Sequence, residues 1–87
     1  MSVLIVHFKL TTDEDYSDLY SLMGDFHHLP LSDSCYLIHT DLTPKEIHLK
    51  MRPLIKSDDN LFIFRITAPY HLHAQKNLIQ WISEKIR

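Results

Sequence analysis

Residues 2–10 of the chain, Ser-Val-Leu-Ile-Val-His-Phe-Lys-Leu, are β-branched and apolar on both alternating faces until His7. Such a run predicts a central strand that needs cover on both sides. Its even positions, Leu4, Val6, Phe8 and Leu10, are wholly apolar, while Val3, Ile5, His7 and Lys9 pass from apolar to polar. The helical period takes over next. Tyr16, Leu19, Tyr20, Leu22 and Met23 form a stripe behind a Thr11-x-x-Glu14 capping pattern, with the chain's single glycine, Gly24, as C-cap. This predicts a helix over about 12–24. Residues 26–29 then read as a short strand, Pro30–Asp33 as a turn, and Ser34–Thr40 as a better strand.

Thr43-Pro44-Lys45-Glu46 combines an N-cap threonine, a proline at the first helical position and a glutamate at the third, so a second helix starts at Pro44. Ile47, Met51, Leu54 and Ile55 are its apolar stripe, and Pro53 must kink it or end its regular hydrogen bonding near Arg52. After the polar turn 56–60, Leu61–Thr67 reads as another central strand that Pro69 closes off. Ala74, Leu78, Trp81, Ile82 and Ile86 predict a third helix over about 73–86.

Strand, helix, strand, strand, helix, strand is the ferredoxin-like (βαββαβ) order, here with an extra C-terminal helix on a single α+β domain spanning 1–87. The expected sheet order is 4-1-3-2, antiparallel or mixed. The first and third strands are expected as parallel neighbours, with both crossover helices on one face. Those helices are expected to cover Leu4, Val6, Phe8, Tyr36, Ile38, Phe62, Phe64 and Ile66. Val3, Ile5, Leu37, Leu61 and Ile63 would then line the open face, with His7, Lys9, His39 and Arg65 among them. Five aliphatic side chains on a bare face call for cover, either the third helix or a second copy. The third helix has too narrow a stripe for a four-stranded sheet, so a homodimer is expected through this face.

Composition adds few constraints. The chain has 87 residues and a net charge of −2, which gives no bulk attraction for polyanions, and a domain this short buries only about 60% of its unfolded surface. An oligomer would offset that thin margin. The lone Cys35 cannot close an internal disulfide and reads as a small buried hydrophobe. No apolar run is long enough to span a membrane, and no signal segment stands out, so a cytoplasmic protein without membrane contact is expected.

The succession Val6-His7-Phe8-Lys9-Leu10, His27-His28-Leu29, Ser34–Thr40, Asp41-Leu42-Thr43, Arg52-Pro53-Leu54-Ile55, Asp59–Ile63 and Trp81-Ile82 resembles the SinR-like stand-alone relatives of the small CRISPR-associated adaptation endonucleases. The resemblance implies a ferredoxin-like homodimer. In the nucleases, it further implies a metal-binding aspartate from each subunit at the end of the first strand. Here Lys9 stands at that position, and a cation cannot ligate Mg²⁺, so nuclease chemistry is not expected. Asp13 and Asp15 are nearby and could in principle substitute, but they read first as acidic residues that favour a helix N-terminus.

Other chemistry is sparse. His71 and His73, or His27 and His28, lack a cysteine or a placed carboxylate to complete a metal set, and no cofactor is implied; Mg²⁺ would enter only with cleavage. No nucleophile has an identifiable base, and one glycine cannot build a phosphate loop. His7, Lys9 and His39 are expected together at one end of the open face, as an anion site or a pH-sensitive interface. Lys9, Lys45, Lys50, Arg52 and Arg65, with Tyr36 or Trp81 for stacking, keep a nucleic-acid partner open, although these cations are scattered. The function that emerges is a homodimeric binding or assembly module. A metal-dependent endonuclease on RNA or DNA and a toxin-antitoxin component acting through protein contacts are the alternatives.

Overall fold

The computed structural model describes residues 1–12 and 16–86. The elements run β1 (Ser2–Lys9), α1 (Ser17–Gly24), β2 (His27–Ser32), β3 (Cys35–Thr40), α2 (Pro44–Met51) with a 3₁₀ turn at Arg52–Leu54, β4 (Asn60–Ile66) and α3 (Lys76–Lys85). The four strands make one sheet in the order β2-β3-β1-β4, and each adjacent pair is antiparallel. This α+β arrangement is compatible with a ferredoxin-like fold.

One expected feature of the sheet is corrected. The strands β1 and β3 are antiparallel, with Ser2 opposite Thr40 and His7 opposite Cys35. The reason is geometric: the crossover through α1 returns β2 in the direction of β1, and the hairpin then reverses β3 before it inserts beside β1.

Local signals act where side chains are left free to cap. Thr43 Oγ1 accepts from the Glu46 N–H at 3.2 Å and the Glu46 carboxylate accepts from the Thr43 N–H at 3.1 Å, which completes the capping box that starts α2 at Pro44. The regular helix ends at Met51, two residues before Pro53, and continues as a single 3₁₀ turn. The described helix α1 begins at Ser17, later than expected, and Thr11 gives its N–H and hydroxyl hydrogen to Asp59, 48 residues away. Glu14, the proposed partner in that cap, lies outside the described residues, as do Asp13 and Asp15. Gly24 does not adopt a left-handed conformation, so it is not the αL cap that its position suggested.

Asp59 joins the two loops at one end of the sheet. Its Oδ1 accepts from the Thr11 N–H at 2.8 Å and hydroxyl at 2.9 Å, and its Oδ2 accepts from the Lys56 N–H at 2.7 Å and the Tyr16 hydroxyl at 3.0 Å. Partial burial works against ionisation, but these hydrogen bonds outweigh it and the carboxyl is lowered to about 2.

The core has two parts, one on each side of the sheet. Leu4, Val6, Phe8 and Ile38 meet Tyr16, Leu19 and Met23 of the α1 segment and Ile47 and Met51 of α2. Behind the sheet, Ile82 and Ile86 of the α3 segment pack on Val3 and Leu37. The third helix therefore folds over its own sheet. The phase of β4 is also corrected: Leu61 and Ile63 pack with the helix-side core, opposite Phe8 and Val6, whereas Phe62, Phe64 and Ile66 pair with His7, Ile5 and Val3 on the other side. Both faces of Leu61–Ile66 are largely apolar, so alternation alone carried no phase.

Thr43→Ala is expected to lower stability by about 1 kcal/mol in urea denaturation, through loss of the cap; an unchanged midpoint would contradict that role. Asp59→Asn is expected to destabilise the fold at neutral pH, because an amide nitrogen cannot accept these bonds. A depressed carboxyl contributes stability above its ordinary value near 3.8 and loses it as pH falls toward about 2. Acid unfolding curves should therefore be less steep over that interval in the variant than in the wild type.

Candidate interaction surface

The open side of the sheet is only partly covered. The helix α3 lies over Val3 and Leu37, with Ile5, Leu29, Ile66, Leu72 and Trp81 packed around them. It leaves β4 bare. Phe62 is 45% exposed and Phe64 60% exposed, and β4 is also the outer strand of the sheet. His7 is exposed beside them, its ring 6.1 Å from that of Phe62. A seven-residue edge strand with a free row of backbone groups is a template for pairing, and soluble proteins usually guard such edges with lysine, proline or a bulge. Within β4 the only charged residue is Arg65 and there is no proline.

Of the residues expected to form a dimer face, Val3 and Leu37 are buried beneath α3, Ile5 lies at its margin, and Leu61 and Ile63 point to the opposite side. The surface that remains is His7, Phe62 and Phe64. The sequence carried the signal in Phe62 and Phe64, but large aromatics at alternate positions read more naturally as core.

His7, Lys9 and His39 do not come together. His7 sits opposite Cys35 and Lys9 opposite Asn60 at one end of the sheet, while His39 sits opposite Val3 and His27 at the other. Four residues along β1 separate the two histidine positions by about 14 Å. Antiparallel pairing of β1 with β3 is the cause. His39 instead belongs to a cluster that sequence reasoning missed, because it arises from cross-strand register: the ring of His27 lies 5.9 Å from His39 and 5.7 Å from Trp81, each edge-on. Burial pushes the His39 imidazole below its ordinary value, and Lys85, His27 and the N-terminal amine push the same way, against a smaller opposite pull from Asp41. His28 turns to the other face, with Nδ1 2.9 Å from the Phe26 carbonyl oxygen and its ring 5.9 Å from Tyr36. His71 and His73 are exposed between β4 and α3.

The candidate cations are likewise dispersed. Lys45 and Lys50 are exposed on α2, Arg52 is in the 3₁₀ turn, and Lys9 and Arg65 belong to opposite ends of the β1–β4 ladder. Tyr36 stacks on Phe8 and Trp81 packs on His27, so neither aromatic is offered as a platform beside them. Burial raises the pKa of the half-buried Cys35 thiol, which disfavours a reactive thiolate. Among the described residues no group of three or more His, Cys, Asp or Glu side chains is placed to hold a metal ion. No described helix is long and apolar enough to cross a membrane.

No family model matches the chain, and no curated protein matches it.

A histidine whose folded pKa is depressed takes up its proton more readily when unfolded, so stability is lost as pH falls through the ordinary histidine value near 6.5. Urea midpoints are expected to fall from pH 7.5 to pH 5.5, with Trp81 fluorescence reporting the change beside His27. The fall should be smaller in His39→Gln; an equal fall in that variant would remove His39 as its source.

Proposed function

We propose that this chain is a small ferredoxin-like binding or assembly module that acts as a homodimer through β4. The observation that carries the proposal is the exposure of Phe62 and Phe64 on an unguarded edge strand. The occupant we commit to is a second copy, because the strand is complementary to itself. In an antiparallel pairing about a two-fold axis at Ile63, Phe62 of each copy lies opposite Phe64 of the other, and Leu61 lies opposite Arg65. This repeats an aromatic cross-strand pair twice, each contributing about 0.2–1 kcal/mol, and sets no like charges against each other. A hydrophobic contact also suits a chain too short to bury much surface alone.

Lys9 supports a role without metal-dependent cleavage, since the position that the resembled nucleases are implied to use for a metal ligand carries a cation here. Sedimentation velocity over a micromolar to submillimolar series is expected to show a dimer for the wild type. Phe64→Glu should give a monomer with an unchanged circular dichroism spectrum. A wild type that stays monomeric throughout overturns the proposal, and a Phe64→Glu dimer overturns its assignment to β4.

A further inference from the structure

A second surface lies on the helix side of the sheet, where the chain leaves α2 and returns to β4. The 3₁₀ turn forced by Pro53 swings the backbone away from the helix axis, and Asp59 ties the returning loop back to Thr11 and Tyr16. Between the two runs opens a cleft of about 520 Å³. His48 and Arg52, four residues apart, line it together with Ser57 and Asn60. Among the described residues the ion pair joins the Met1 amine to Asp41 at 3.4 Å, at the far end of the sheet, and no described carboxylate forms an ion pair with His48 or Arg52. The carboxylate in the lining, Asp59, has each oxygen accepting two hydrogen bonds.

We propose that this cleft binds a small phosphomonoester, with the phosphate held by Arg52, His48, Ser57 and Asn60. The donor set favours a tetrahedral oxyanion. The lining holds a guanidinium fork, an imidazole, a hydroxyl and an amide, and the three terminal oxygens of a phosphate offer these donors more acceptor sites than the two of a carboxylate. The volume exceeds a bare phosphate and falls within the range of small-ligand sites, which leaves room for an organic group against Ile55 and Leu61. A polynucleotide is disfavoured because Lys9, Lys45, Lys50 and Arg65 do not continue the cleft as a track. Asn60 and Leu61 of the lining open β4, so the cleft borders the proposed β4 contact, while His48 and Arg52 belong to α2 and its 3₁₀ turn.

Titration of ¹⁵N-labelled protein with inorganic phosphate, and then with adenosine 5′-monophosphate at constant ionic strength, tests the proposal. Saturable amide shifts confined to residues 48–61 are expected, with the monophosphate binding more tightly than phosphate. Arg52→Gln, an exposed position, should weaken binding about tenfold and leave the remaining spectrum unchanged. Shifts that never saturate, or that fall equally near Lys76 and Lys85, overturn the proposal, as does full affinity in Arg52→Gln. A single-stranded oligonucleotide that binds far more tightly than the monophosphate, with a steep salt dependence, overturns the small-molecule assignment. Sedimentation of the same samples reports the oligomeric state separately, so either reading can fail alone.

Discussion

A carboxylate with four hydrogen-bond donors is an expensive group to assemble and a stiff one once assembled. Asp59 takes one donor from its own loop, at Lys56, and the others from the β1–α1 connection 43 and 48 residues away, at Tyr16 and Thr11. Its position immediately before Asn60, which pairs with Lys9, means that it fixes where β4 starts relative to β1. Because side chains alternate with a period of two, fixing that start also fixes which face each β4 residue occupies. Leu61 and Ile63 go to the helix side and Phe62 and Phe64 to the other. The exposed aromatics are therefore a consequence of the register that Asp59 helps to hold, as is the open cleft beside Arg52.

The same carboxylate explains where sequence reading succeeds and where it stops. The α2 start was legible because its cap is local, with Thr43 and Glu46 three residues apart, and the end of α2 was legible because Pro53 acts on its own turn. At the other helix, Thr11 donates to a group 48 residues away, a tie that no local pattern records. The faces of β1 and β3 followed from unequal alternation. Those of β4 did not, since Leu61, Phe62, Ile63 and Phe64 are apolar in either phase. The separation of His7 from His39 hinged on strand direction, and the His27–His39–Trp81 cluster on register, so the candidate sites were less legible than the elements that carry them.

The two sides of the sheet are protected unequally. Helices α1 and α2 bury Leu4, Val6, Phe8 and Ile38 completely, whereas α3 alone serves the reverse side and reaches Val3 and Leu37 in the middle strands. Its buried contacts, Ile82 and Ile86, lie along one narrow line, as its stripe required. Ile66 at the far end of β4 shares this packing, but Phe62 and Phe64 do not. The coverage thus ends along the strand that is also the edge of the sheet.

That coincidence matters for what the chain can assemble with. A partner that covered the reverse face broadly would have to displace α3 and re-expose Val3, Leu37 and Ile82, each worth about 1.5–3 kcal/mol when fully buried. A partner strand added beside β4 displaces nothing. It satisfies the free backbone row and places its own side chains beside Phe62 and Phe64, while α3 stays over β1, β3 and β2. Association through the edge therefore keeps everything that intramolecular folding has gained, and association through the face does not. This makes the edge the better site for a second copy, even though the face carries more apolar residues in the sequence.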